Sequence, residues 1–113
     1  MKKLEELSQK RKASHTKLIS MKSKVYEKFI EMEQATYTDG HLPKGIKELI
    51  AVGISVSINC ESCMQWHIEQ AAKAGHTQEQ VLEAIEVGIE MSGGPGTVAA
   101  RFALDVIEDV FKK

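Results

Sequence analysis

The stretch from Glu48 to His67 constrains this chain more than any other, because it forces a choice between strand and helix and carries both cysteines. Val52, Ile54, Val56 and Ile58 alternate with Gly53, Ser55 and Ser57, which is the period-2 pattern of a strand. Ile46, Leu49, Ile50, Gly53, Ile54 and Ser57 also fit one face of a helix, with small residues that let a neighbour approach closely, although local propensity alone leans to strand over 51–58. The remaining segments read as helix, and an isolated strand would have no partner for its backbone ladder. The segment 44–58 is therefore expected to be a buried helix, and the chain all-α.

Punctuation along the chain supports six helices. Residues 2–12 form a short polar helix anchored by Leu4 and Leu7. Ser14 is a candidate N-cap for a second helix, with Leu18, Met21, Val25, Phe29 and Met32 at steps of three and four. Asp39-Gly40 ends that run, and Leu42-Pro43 opens the helix over 44–58. Asn59 is a candidate cap for the helix Cys60 to Ala74, and Gly75 supplies a left-handed terminator. Thr77-Gln78-Glu79-Gln80 reads as a capping box. The helix behind it has Val81, Leu82, Ile85 and Ile89 on its core side, and Glu79, Glu83, Glu86 and Glu90 on a wet face. After the turn Gly93-Gly94-Pro95-Gly96, a last helix runs to about Phe111 with Val98, Phe102, Val106 and Val110 on one stripe. A single domain is expected, with a helical arm over 1–38 and a helical core over 39–113.

A chain of 113 residues can bury about two-thirds of its unfolded surface, so it needs neither metal nor disulfide to hold a core. Its charge is uneven. Residues 1–30 carry nine Lys/Arg against three Asp/Glu, and residues 31–113 carry six against thirteen. No aromatic or glycine-rich recognition pattern accompanies the basic arm, so nucleic acid is not an expected partner. The arm is expected to lie on the acidic remainder of its own or a neighbouring subunit. The amino-terminal stretch has no apolar core like that of a secretory leader, and no apolar run approaches the length of a membrane span. With a Cys-x-x-Cys and no leader, a reducing, cytoplasmic setting is expected.

Cys60, Cys63 and His67 fall three and four residues apart, so a helix places them along one face. The cysteine Cα atoms would lie about 5 Å apart, within the disulfide window. Their Cβ atoms in a regular helix would be about 5–6 Å apart, wider than a relaxed disulfide takes. A bridge must therefore distort the first turn, as in a redox-cycling pair rather than a staple. The helix start, the neighbouring sulfur and a protonated His67 can each favour a thiolate. Cys63, one turn from His67, is the better nucleophile, and Cys60 the better partner to resolve a sulfenic acid. Glu48, on the preceding helix, can orient His67 as a base held by a third group.

Other readings of these residues exist. Two thiolates, an imidazole and Glu48 or His41 could hold zinc, although the second Cys-x-x-Cys or His pair that usually closes such a site is missing. Both cysteines could also be small core residues. Trp66 fits core or interface packing better than a substrate pocket. His15, His41 and His76 are given no role.

Taken together, Leu42-Pro43-Lys44, Lys47-Glu48-Leu49-Ile50-Ala51, Asn59-Cys60-Glu61-Ser62-Cys63 with His67, Ala74-Gly75 and Gly93-Gly94-Pro95 resemble the carboxymuconolactone decarboxylase superfamily. Within it the likeness is to the alkylhydroperoxidase D-like branch, over about residues 40–105. The most specific element is Glu48, eleven residues, Cys60, two, Cys63, three, His67. The resemblance implies an all-α bundle assembling into homo-oligomers, often trimers or hexamers. It also implies thiol-dependent reduction of hydroperoxides, or disulfide exchange with a thiol electron donor. Cys63 would then be the peroxidatic cysteine, Cys60 the resolving one, and Glu48 and His67 the proton relay, with no cofactor or metal. Ser62 stands where the best-known peroxidase members have a histidine. The decarboxylase that names the superfamily lacks the cysteine pair, so lactone decarboxylation is the lesser alternative, beside a non-enzymatic metal- or partner-binding protein.

Overall fold

The computed structural model describes residues 1–112, and the described residues form six α-helices and no strand. In chain order they are α1 (Lys2–Ser20), α2 (Lys24–Thr36), α3 (Lys44–Ser57), α4 (Glu61–Lys73), α5 (Gln78–Ser92) and α6 (Gly94–Phe111). The ambiguous stretch is helical but only half-buried: α3 lies against both α4 and α5 while Ile46, Ile50 and Ile54 stay exposed, and α6 packs across α4 and α5. A helix satisfies its own backbone groups, which a strand without a neighbour cannot.

The small residues of α3 have the purpose their spacing suggests. Gly53 and Gly88 face each other where α3 crosses α5, and a Cβ on Gly88 would run into the Gly53 carbonyl oxygen. Around that crossing Val52, Val56, Met64, Ile68, Ala71, Val81, Ile85, Ala103 and Val106 are sealed from solvent. They form one continuous core contributed by α3 to α6, with Leu4 of α1 added at its edge.

The helix ends match the sequence at the start of α5 and the end of α4, and differ in the arm and at the start of α4. Thr77 Oγ1 accepts from Gln80 N at 3.1 Å while Gln80 Oε1 accepts from Thr77 N at 2.9 Å, completing the capping box. Gly75 sits at φ +95° and ends α4. The arm is cut differently from the expectation. There is no break near Ser14: α1 runs unbroken to Ser20, and the chain turns at Met21–Ser23 with Lys22 at φ +58°. Ser23 is the true N-cap, its Oγ accepting from Tyr26 N at 3.1 Å. A mid-helix serine caps nothing unless the chain also turns before it, and the preceding Lys12 and Ala13 are good helix formers. The expected stripe from Leu18 to Met32 is thereby split between two helices and lies at the surface, with Val25 82% exposed. Leu82 and Val98, expected on core stripes, are also exposed.

Polar ties hold the arm to the core. Gln65 Nε2 donates to the Leu4 carbonyl at 3.0 Å. Lys47 Nζ donates to the carbonyls of Thr36 and Thr38 at 2.9 and 2.8 Å, satisfying the end of α2. Asp39 Oδ1 reaches across the turn to accept from Lys44 N at 2.7 Å, which fixes the start of α3. Among the described residues no helix is long and apolar enough to cross a membrane.

Candidate functional site

The site is built where the start of α4 meets α3. Val56 O accepts from Asn59 N, and Ser55 O accepts from Cys60 N at 2.9 Å, so the chain leaves α3 in a tight reversal. Asn59 occupies a left-handed conformation, φ +54°, which asparagine tolerates better than most residues. It is therefore the turn residue and not the cap. Cys60 itself is the N-cap of α4, in extended backbone at φ −102°, ψ 99°. Its sulfur accepts from Cys63 N at 3.2 Å.

This placement answers the geometric objection raised by the helical spacing. Cys60 and Cys63 are joined as a disulfide with their Cα atoms 5.2 Å apart. Because Cys60 stands just outside the helix, its side chain can swing towards Cys63 without breaking an intrahelical bond. The first-turn N–H groups that point out of the helix here favour negative charge on sulfur when the pair is reduced.

One turn further along α4, His67 Nδ1 donates to Glu48 Oε1 at 2.7 Å. Glu48 projects from α3 and is 1% exposed. Its second oxygen accepts from Lys44 Nζ at 2.8 Å, one turn back on α3. Both carboxylate oxygens are thus used, and among the described residues no buried side-chain polar atom lacks a partner. With Nδ1 committed to Glu48, a neutral His67 keeps its lone pair on Nε2. The Tyr37 ring lies against the imidazole, centroids 5.1 Å apart at 38°. Burial, reinforced by Glu48 and then Glu33, pushes the Tyr37 hydroxyl above its ordinary pKa of 10.0.

The structure therefore brings Glu48 and His67 into contact and Cys60 and Cys63 into a bond, with Cys63 and His67 on the wall of one cleft. That cleft, about 610 Å³, lies between the arm and α4 and also meets Trp66, Phe29 and Ile30. Trp66, read from sequence as packing, lines this cleft, with the Arg11 guanidinium 4.6 Å from its ring centre. His15 is part of the same cleft, its Nδ1 2.6 Å from Tyr26 Oη. Lys44 escaped the sequence reading, although a Lys four residues before a Glu on a helix is a recognisable pair. Arg11, His15 and Tyr37 carry no local signal, since only folding brings them near α4. Among the described residues no group of three or more His, Cys, Asp or Glu side chains is placed to hold a metal ion. His41 is exposed and joins no such group.

Comparison with known proteins places this geometry in a family. The model of the carboxymuconolactone decarboxylase family matches residues 23–106. An uncharacterised Cupriavidus necator protein is 44% identical over 71 residues, 63% of this chain and 63% of that protein. An uncharacterised protein encoded in the cox locus of Paracoccus denitrificans is 35% identical over 82 residues, covering 73% of this chain and 74% of its own. The chain thus spans under two-thirds of the first relative's length. A carboxymuconolactone decarboxylase family protein from Legionella pneumophila, solved without ligand, superimposes with a TM-score of 0.92 at 28% identity, over 99% of this chain and 100% of that one. A Thermotoga maritima protein has the same fold, TM-score 0.86 at 22% identity, over 93% of this chain and 92% of its own. On the family match over most of its length, and on the shared arrangement of helices, this chain belongs to the carboxymuconolactone decarboxylase family.

Proposed function

We propose that this protein is a thiol-dependent peroxidase of the alkylhydroperoxidase D-like type. The observation that carries this reading is a Cys60–Cys63 disulfide at a helix start, with Cys63 sharing a cleft with His67, whose Nδ1 is held by the buried Glu48. In the reduced enzyme Cys63 reacts as the thiolate. Its sulfur attacks the outer oxygen of a hydroperoxide, an S–O bond forms, the O–O bond breaks, and the alcohol leaves with a proton delivered through His67 and Glu48. The Cys60 thiol then displaces hydroxide from the sulfenic acid, which leaves as water once protonated. The S–S bond closes, and two electrons have passed from sulfur to oxygen. Two equivalents of an external thiol return two electrons and two protons, restoring the dithiol and leaving as their own disulfide.

Ser62 donates no positive charge near Cys63, so the thiolate must rely on the helix start and on His67. The relay is well formed for a base: Glu48 orients the imidazole, and Lys44 engages the carboxylate from the other side. General acid–base assistance of this kind contributes about 10²–10⁴-fold to a rate.

The test counts thiols. Protein reduced with dithiol is given one equivalent of hydroperoxide, and free thiols are measured before and after. Loss of two thiols per chain, reversal by dithiol, and abolition in Cys63→Ser are the expected results. Thiols that survive excess hydroperoxide in the native protein would sink the reading.

A further inference from the structure

The cleft beside Cys63 is lined by two unlike sets of side chains, and the difference bears on what enters it. This step rests on the peroxidase reading and asks which hydroperoxides the site takes. Part of the lining is hydrocarbon and aromatic ring, from Trp66, Phe29, Ile30 and Tyr26. To the same lining α1 contributes Arg11, Lys12 and His15, the last in contact with Tyr26. The Arg11 guanidinium lies over the Trp66 ring, 4.6 Å from its centre. Stacking of this kind occupies the face of a guanidinium and leaves its N–H edges free for a carboxylate. One of those edges has a weak contact, Arg11 Nη2 to Ser8 Oγ at 3.5 Å.

Two carboxylates border the wall, Glu33 within the cleft and Glu69 behind Trp66. Among the described residues neither lies within 4.0 Å of Arg11 or Lys12. Arg11 and Lys12 therefore border the cleft with no carboxylate within 4.0 Å, although Glu69 is near enough for both to favour its ionised form, and the Trp66 ring lies beside Arg11. Trp66 follows Cys63 by three residues, a rise of about 4.5 Å along α4. A ligand can thus place an anionic end on Arg11 and still reach the reactive sulfur. A small neutral peroxide would leave both the cations and the aromatic wall without a partner.

We propose that the preferred substrates are hydroperoxides of aliphatic carboxylic acids, held by Arg11 and Lys12 at the carboxylate and by Trp66, Phe29 and Ile30 along the hydrocarbon. The redox balance is that already given, with the hydroxy acid as the alcohol that leaves. Arg11 and Lys12 select the substrate and take no part in the bond changes.

Trp66 is the sole tryptophan of the chain, so its fluorescence reports occupancy of the cleft without any turnover. The disulfide form is titrated with octanoate and, separately, with 1-octanol, an equally long neutral chain. Octanoate should perturb the emission saturably, at least tenfold more tightly than octanol, and should weaken as salt is raised. In Arg11→Gln/Lys12→Gln, with helical circular dichroism unchanged, the octanoate-to-octanol ratio should fall to about one. Comparing the two ligands within the variant cancels the change in emission caused by losing the stacked guanidinium. Turnover then follows, with a fatty-acid hydroperoxide against its methyl ester and thiol as reductant, and the acid is expected to have the higher kcat/KM. Equal binding of octanoate and octanol, or equal kcat/KM for acid and ester, overturns the carboxylate preference and leaves the peroxidase reading standing. Preferential octanoate binding with no hydroperoxide consumed does the reverse: it supports the anion site and overturns the peroxide chemistry.

Discussion

The core of α3 to α6 and the arm of α1 and α2 are held together by opposite means. In the core, backbones meet at Gly53 and Gly88, and side chains such as Met64, Ile68 and Ile85 have no exposed surface. In the arm, α2 buries no residue at all and is tied by the Ser23 cap, by the His15–Tyr26 contact, and by Lys47 on two carbonyls. Each such hydrogen bond contributes about 0.5–1.5 kcal/mol, whereas burying one methionine side chain contributes about 1.5–3 kcal/mol. The difference separates two tasks. Cys63 and the Glu48–His67 pair sit on packed helices that cannot shift without losing the core, and the opposite wall of the cleft sits on helices that adjust at little cost.

Paired substitutions of one residue type put that contrast to the proof. Met64→Ala should destabilise the protein by about 2–5 kcal/mol, and Met32→Ala by less than about 0.5 kcal/mol, both read from denaturant unfolding. If Met32→Ala proved as costly as Met64→Ala, the arm would be packed in solution by something that covers it. Glu48→Gln keeps the side chain's shape and removes its charge. It is expected to slow hydroperoxide-driven thiol loss about 10²–10⁴-fold while shifting the unfolding midpoint far less than Met64→Ala. A variant that kept its rate would make Glu48 a packing residue only.

A smaller effect is expected at the glycine contact. Gly88→Ala should cost about 1–3 kcal/mol, because the new methyl group meets the Gly53 carbonyl and the two helices must part. Tyr37, between arm and core, gives a pH-dependent effect that is smaller still. Its hydroxyl holds its proton more tightly when folded, chiefly through burial and then through Glu48 and Glu33. That contribution is complete below the unfolded pKa of about 10 and is lost as pH rises through the higher folded value. Stability should therefore fall more steeply above pH ~10 in the native protein than in Tyr37→Phe, measured as unfolding midpoint against pH.

What could be read in advance was what lies close together along the chain. The six helices, the Thr77 capping box, Gly75 as terminator and the Cys60–Cys63–His67 face all follow from spacings of three and four, because a helix converts such spacings directly into contacts. The pairing of Glu48 with His67 was anticipated but not dictated, since it crosses from α3 to α4 and depends on the reversal at Asn59. Local reasoning misjudged ends and edges: Ser14 and Asn59 as caps, Leu82 and Val98 as core. A capping side chain works only where the backbone turns, and an apolar residue is buried only where another helix arrives to cover it.

Sequence by itself thus determined the helices and the spacing of Cys60, Cys63 and His67 along the start of one of them. Tertiary structure alone decided that Cys60 would stand outside the helix as its cap, that Lys44 and Tyr37 would attend the Glu48–His67 pair, and that Arg11 would lie on Trp66. The physical reason is range. Helix formation and capping are settled over a few residues, whereas a cleft between α1 and α4 exists only once packing of the core has fixed where those helices stand.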